Sequence, residues 1–234
     1  MLMRVGIENN NDHRSIAWAL EHPGCFAYGR DAEEAQKNMG QAAREYAMWV
    51  RQHGMSWLEP DGLEIRGEET FDAFRIPRYP ERDAGKQDEY LVESFFRHDN
   101  EPLTATDIEH GIKLLDWSRQ DLLDTLKGLD ADKLNRTYEG ERWSINGILK
   151  HVGGAEWWYQ ERIGAPFPER EEDLPGDPMR RLELVRAHFT ALLPKLEGVQ
   201  HTVKEEGESW SPRKVLRRAL WHERDHTQHI RKLL

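Results

Sequence analysis

The last 25 residues, Trp210–Leu234, constrain this chain most: W-S-P-R-K-V-L-R-R-A-L-W-H-E-R-D-H-T-Q-H-I-R-K-L-L. Ser211 can accept a hydrogen bond from the free amides of a helix start, Pro212 suits the first helical position, and no breaker follows. One long terminal helix is predicted. Alternate steps of four and three trace its inward face through Val215, Ala219, His222, His226, His229 and Leu233. Three histidines therefore stand where apolar residues belong. A buried imidazole needs a partner, and a pair at i and i+4 projects from one face about a turn apart, a spacing suited to one metal ion. A single inward histidine would read as a satisfied core residue; three in register favour a ligand set.

His222-Glu223-Arg224-Asp225-His226 formally matches H-E-x-x-H, the helix motif of zinc proteases. That reading fails because those enzymes take their third ligand downstream, and only eight residues follow His226. A catalytic zinc typically has three protein ligands and one open position, so the third must come from upstream. His151 is the best candidate, one turn beyond Ile148 on a strongly patterned segment. His110 and His188 lie off their apolar seams, and His98 and His201 remain weak alternatives. His229 is a spare ligand or an orienting partner. Glu156 and Asp225 could orient imidazoles, although solvated surface charge is the favoured reading of both.

The second half reads as helical throughout. Ile108, Ile112, Leu115, Leu122, Leu126 and Leu129 hold a four-three spacing broken only at Arg119. Ser144 caps a second helix with Ile145, Ile148, Leu149 and Val152 inward. A third, from about Asp177, carries Leu182, Val185, Phe189, Leu192 and Leu196, with Pro194 ending or kinking its last turn. The acidic loop Pro166–Pro178 is expected to be long and exposed. Four such helices make a bundle, and bundles build metal sites from inward side chains.

The first half reads as α+β. Met3–Glu8 and Ser15–Leu20 alternate apolar and polar residues around a turn at Asn9–Asp12. A short strand Cys25–Tyr28 and Gly29 precede a helix from Asp31, with Glu34 completing a capping box and Ala32, Ala35, Met39, Ala42, Tyr46 and Trp49 on one face. Leu63–Ile65 and Phe71–Ile76 supply one more strand or hairpin. The expected division is an α+β domain over 1–76, a linker over 77–102 with a charged run Glu81–Glu89 and a strand Tyr90–Phe96, and a helical domain over 103–234. One of Phe95 and Phe96 is expected to pack on a neighbouring domain.

Two resemblances follow from these residues. H-P-G-C-F-A-Y-G-R-D-A-E-E-A-Q-K-N-M, after a hairpin, resembles the HicB-like antitoxin domain, a β-β-β-α-β module, over roughly residues 3–75. No helix-turn-helix or ribbon-helix-helix segment accompanies it, so DNA binding is not carried over. W-S-I-N-G-I-L-K-H-V at 143–152 with W-H-E-R-D-H-T-Q-H-I at 221–230 resembles the DinB/YfiT-like family over roughly residues 100–234. That resemblance implies a four-helix bundle in which His151, His222 and His226 bind a divalent metal, zinc or nickel. His229 falls where the family often has glutamine. The chemistry implied is a metal-dependent transferase, of the thiol S-transferase kind, or a hydrolase acting on a small molecule. The alternative is a metal-stabilised binding or regulatory protein using the HicB-like module for partner recognition.

Charge bounds the partners. With 33 Lys and Arg against 43 Asp and Glu, the net charge of -10 opposes nucleic acid and anionic membrane, so neither is expected. The single cysteine, Cys25, excludes an internal disulfide and fits a reducing compartment. The first residues lack the apolar core of a signal peptide, which gives a cytoplasmic expectation. Modules of these kinds often pair, and a homodimer is expected.

Overall fold

Alternating apolar residues place Met3, Val5 and Ile7 on the buried side of a strand, and the computed structural model, which describes residues 1–78 and 88–234, gives β1 over Leu2–Asn11. It pairs antiparallel with β2 (Arg14–Ala19), which pairs antiparallel with β3 (Phe26–Gly29). The turn is tighter than the sequence suggests. Asn11 pairs directly with Arg14, leaving only Asp12 and His13, both at positive φ, as the twisted two-residue loop that right-handed strands favour. The register slips between Glu8 and Asn11, where Asn10 also has positive φ, so the asparagines form an irregular strand end.

Helix α1 (Ala32–Gln52) starts at Asp31, whose side chain accepts from Glu34 N. Glu34 reaches back to the Arg30 amide, one residue before the cap. Ala35, Met39, Ala43, Tyr46, Trp49 and Val50 are buried, so Ala43 takes the place expected for Ala42. Strand β4 (Glu64–Asp72) then returns parallel to β1, giving the sheet order β3-β2-β1-β4. Gly29 sits under the first turn of α1. A Cβ built there would lie 2.1 Å from Ala35 N, a backbone atom that cannot swing aside. Gly29→Ala is expected to cost about 1–3 kcal/mol by overpacking; an unchanged urea midpoint for the first unfolding transition would contradict this.

Beyond β4 a separate pair forms, β5 (Phe74–Arg78) with β6 (Asp88–Val92). The expected strand thus ends at Val92 instead of Phe96, and most of the charged run Glu81–Glu89 lies outside the described residues. Fully buried Glu8 accepts from Trp18 Nε1 at 3.1 Å and Ser94 Oγ at 2.6 Å, tying the segment after β6 to the sheet. The Phe96 ring, in the expected linker, packs on Gly6 of β1.

The chain divides into two compact units, Met1–Asp99 with Lys204–Ser209, and Asn100–Val203 with Trp210–Leu234. The second is helical. Helix α2 (Ala105–Leu126) opens on a complete capping box between Thr104 and Asp107. A short α3 (Ala131–Asn135) follows, then α4 (Ile145–Glu161) capped by Ser144, α5 (Pro178–Leu192) capped by Asp177, and α6 (Pro212–Leu233) capped by Ser211. Helix α3 falls in a stretch the apolar pattern leaves as loop, since it buries no residue and rests on its Asp130 cap. Pro194 ends α5 at Leu192 and leaves a single 3₁₀ turn, Leu193–Leu196. The polar stretch before α6 is a hairpin of β7 (Val203–Glu205) and β8 (Glu208–Trp210), turning at Glu206 and Gly207, both at positive φ. The loop 166–178 is less free than expected: Trp157 Nε1 donates to Pro168 O at 2.7 Å, and Leu174 is buried.

The apolar core of this unit joins Leu122 of α2, Ile148, Leu149 and Val152 of α4, Leu182 of α5 and Ile230 of α6. Helix α4 packs on α5 and α6, and α2 packs on α6. Among the described residues no helix is long and apolar enough to cross a membrane.

Candidate metal centre

Packing of Ile148, Leu149 and Val152 into the core turns the neighbouring His151 toward α6, where His222 and His226 project one turn apart. The three imidazoles converge. His151 Nε2 lies 3.0 Å from His222 Nε2, the His222 and His226 ring centres are 4.5 Å apart, and those of His151 and His226 are 5.1 Å apart. One ring nitrogen from each falls within 4.8 Å of the others. Zinc–nitrogen bonds of 2.0–2.1 Å in a tetrahedron require nitrogens roughly 3.3 Å apart. The His151–His222 separation is close to that. His226 Nδ1 is buried without a hydrogen-bond partner. These residues fit a divalent ion.

The electrostatics agree with the geometry. Burial, then the neighbouring His226 and His151 and the charge of Arg218, hold His222 well below the usual imidazole value. His226 is lowered to about 3 by burial, His151 and His229, and His151 is lowered by burial and by Arg142. All three are neutral near pH 7, the state in which a nitrogen lone pair can bind metal.

The surroundings close one side of the triad. His222 meets Tyr159 edge-on at a ring separation of 6.0 Å, and the tilted ring of Trp221 at 5.8 Å. His151 and His226 are only half-buried, and Trp143 lies over His151 at 4.7 Å and 31°. His229 turns away to Glu141, with Nε2 3.0 Å from Oε2, and stands outside the triad. Asp225 is half-buried and also outside it. Of the weaker alternatives, His188 Nδ1 pairs with Gln160 Oε1 at 2.8 Å, and His98, His110 and His201 are likewise not among the converging residues.

Glu156 corrects the reading of a solvated charge. It is 3% exposed and held by Arg186, Nε to Oε1 at 2.8 Å and Nη2 to Oε2 at 2.7 Å. Arg186 Nη2 also donates to Glu223 Oε2 at 2.6 Å, and Arg119 Nε donates to Glu223 Oε1 at 2.5 Å. Arg119 Nη2 approaches Glu156 at 3.5 Å. Two arginines and two glutamates thus form a buried quartet with one member from each of α2, α4, α5 and α6. Burial opposes ionisation of Glu223, but the charges of Arg186 and Arg119 overcome it and hold its carboxyl below the usual value. Burial likewise opposes the charge on Arg186, which Glu156 and Glu223 restore and strengthen. Glu223 is therefore committed to the core, a physical reason why H-E-x-x-H does not here supply a water-activating base.

Sequence reasoning missed Arg119, Arg186 and Glu223 as a unit. The signal was there: Arg186 is four residues after Leu182 and three before Phe189, Glu223 is four after Ala219, and Arg119 is the break in the α2 seam. The model of the DinB superfamily matches residues 114–230, half of the chain, a span that holds all three converging histidines.

The chain belongs to the DinB superfamily. Among solved structures, "YfiT from Bacillus subtilis is a probable metal-dependent hydrolase with an unusual four-helix bundle topology" is similar at a TM-score of 0.43 and 19% identity, over 56% of this chain and 87% of that one. No curated protein matches the chain. The DinB match covers most of the helical unit and none of the N-terminal sheet.

Proposed function

We propose that the DinB unit holds one divalent ion, zinc or nickel, on His151, His222 and His226, and acts as a metal-dependent hydrolase or thiol S-transferase on a small molecule. The observation that carries this is the convergence of three neutral imidazoles, one ring nitrogen from each within 4.8 Å of the others. Three neutral ligands leave such an ion its full charge, and when bound it supplies Lewis acidity toward a water or a thiol. The protein's own groups do the rest. Tyr159 and Trp221 keep solvent from the rear of His222, Trp143 offers an aromatic wall beside His151, and the Glu141 contact draws His229 aside, which favours three protein ligands and an open position over a closed structural site.

Elemental analysis of protein purified without chelator or affinity-tag metal tests the assignment. About one zinc or nickel per chain is expected in the wild type and little in His226→Ala or His151→Ala. Stoichiometric metal in His151→Ala would remove that residue from the site. A second reading, a metal-stabilised binding protein with a HicB-like recognition module, draws support from the order strand-strand-strand-helix-strand over β1–β4. A fourth protein ligand in a metal-absorption spectrum would favour it over the enzyme.

A further inference from the structure

The segment 136–144, which leads into α4, frames the half-buried side of the triad. Its Glu141 binds His229, and its Trp143 stacks on His151. Between them Arg142 is exposed, with its guanidinium carbon 4.7 Å from the centre of the Trp143 ring. The indole thus neighbours both the cation and the imidazole, each at 4.7 Å. Glu139 and Glu141 flank this cation in sequence, yet Glu141 is engaged by His229, and among the described residues Arg142 has no carboxylate partner. Its stack on the indole holds the guanidinium in place with its donors outward. Arg136, stacked 4.4 Å over Tyr138, adds a second exposed cation to the same segment. In a chain of net charge -10, an exposed arginine beside the triad without a carboxylate partner is a group that an anion can use.

We infer that Arg142 is a specificity-determining residue of this site, and that the small molecule taken there carries a carboxylate or an equivalent anionic group at the end away from the metal. The inference rests on the metal reading of the triad and adds the substrate class. A guanidinium fork matches a carboxylate in two parallel hydrogen bonds, which fixes orientation as well as charge. Tyr159 and Trp221 pack beside His222, whereas His151, half-buried, has Trp143 and its cation next to it.

The test uses the full chain loaded with cobalt(II), whose visible spectrum reports each new ligand. Two thiols of equal length serve as probes, 6-mercaptohexanoate and 6-mercaptohexan-1-ol; they differ only in the charge at the far end. The wild type is expected to bind the carboxylate roughly 3–10-fold more tightly, the range for an exposed charge-assisted pair, with the preference shrinking as salt is added. Arg142→Gln, a change at an exposed position, is expected to bind cobalt with unchanged stoichiometry, keep the affinity for the alcohol and lose the preference. Equal affinities in the wild type overturn the inference, as does a preference that survives in Arg142→Gln. Failure of the wild type to bind cobalt overturns the metal reading itself, and the inference with it, whereas loss of cobalt in Arg142→Gln alone overturns the inference only.

Discussion

Arg186→Leu is expected to destabilise the helical unit by about 3–5 kcal/mol, which for a domain of ordinary stability means substantial unfolding at 37 °C. Arg186 donates to both carboxylates of the quartet and, through Nη1, to Leu115 O. Its removal leaves Glu156 and Glu223, 3% and 1% exposed, sharing Arg119 alone. An uncompensated buried charge costs far more than the net worth of an intact pair, so the loss reflects the carboxylates left behind. This also supplies the control. Arg186→Leu with Glu156→Leu restores a one-to-one match of Arg119 with Glu223 and is expected to recover at least half of the loss. Urea unfolding followed by far-ultraviolet circular dichroism reads both. A single variant within about 1 kcal/mol of the wild type, or a double variant worse than the single, would show that the quartet does not hold the four helices in this way.

That quartet marks the boundary of what the sequence discloses. Helix α6 is legible in its start, set by Ser211 and Pro212, and in its inward face through Val215, Ala219 and His222; beyond that the buried positions are Glu223, Thr227 and Ile230, with His226, His229 and Leu233 only half-buried. Glu223, Arg186 and Glu156 each stand four residues from an apolar inward position, yet a long charged side chain there can reach water by bending along the helix. Only the presence of opposite charges on facing helices decides whether it turns inward, and that pairing is three-dimensional information. The Arg119 break in the α2 seam looks like a defect until its partners arrive from α4 and α6. Turns fail for a different reason. The Asp12-His13 loop, α3 and the β7–β8 hairpin rest on one or two backbone conformations each, and residues such as His13 and Glu206 at positive φ give no sign of them in sequence. Trp143 and Glu141 precede the Ser144 cap and belong to no apolar pattern, and only folding brings them to His151 and His229.

Zinc at a thousand times its dissociation constant is expected to stabilise the protein by about 4 kcal/mol, a rise of roughly 10 °C in the melting temperature of the helical unit. The effect should be absent in His151→Ala, because binding to the folded state alone produces the shift and the unfolded chain presents no triad. The metal-free protein is where pH matters. The unfolded imidazoles take up protons near 6.5, whereas folded His226 resists until about 3 and His222 and His151 are also lowered, all chiefly by burial. Between those limits the unfolded chain binds more protons, so stability rises with pH there; it is fully present above about 6.5 and lost as pH falls toward 3. His226→Gln removes one such group and is expected to flatten the acid limb of the stability curve. Equal acid limbs in the two metal-free proteins would mean that His226 is protonated as readily folded as unfolded, and the burial of the triad would lose its energetic basis. A zinc-induced rise that persists in His151→Ala would instead place the ion elsewhere. The two measurements separate the burial of the triad from its use as a ligand set, which elemental analysis alone cannot do.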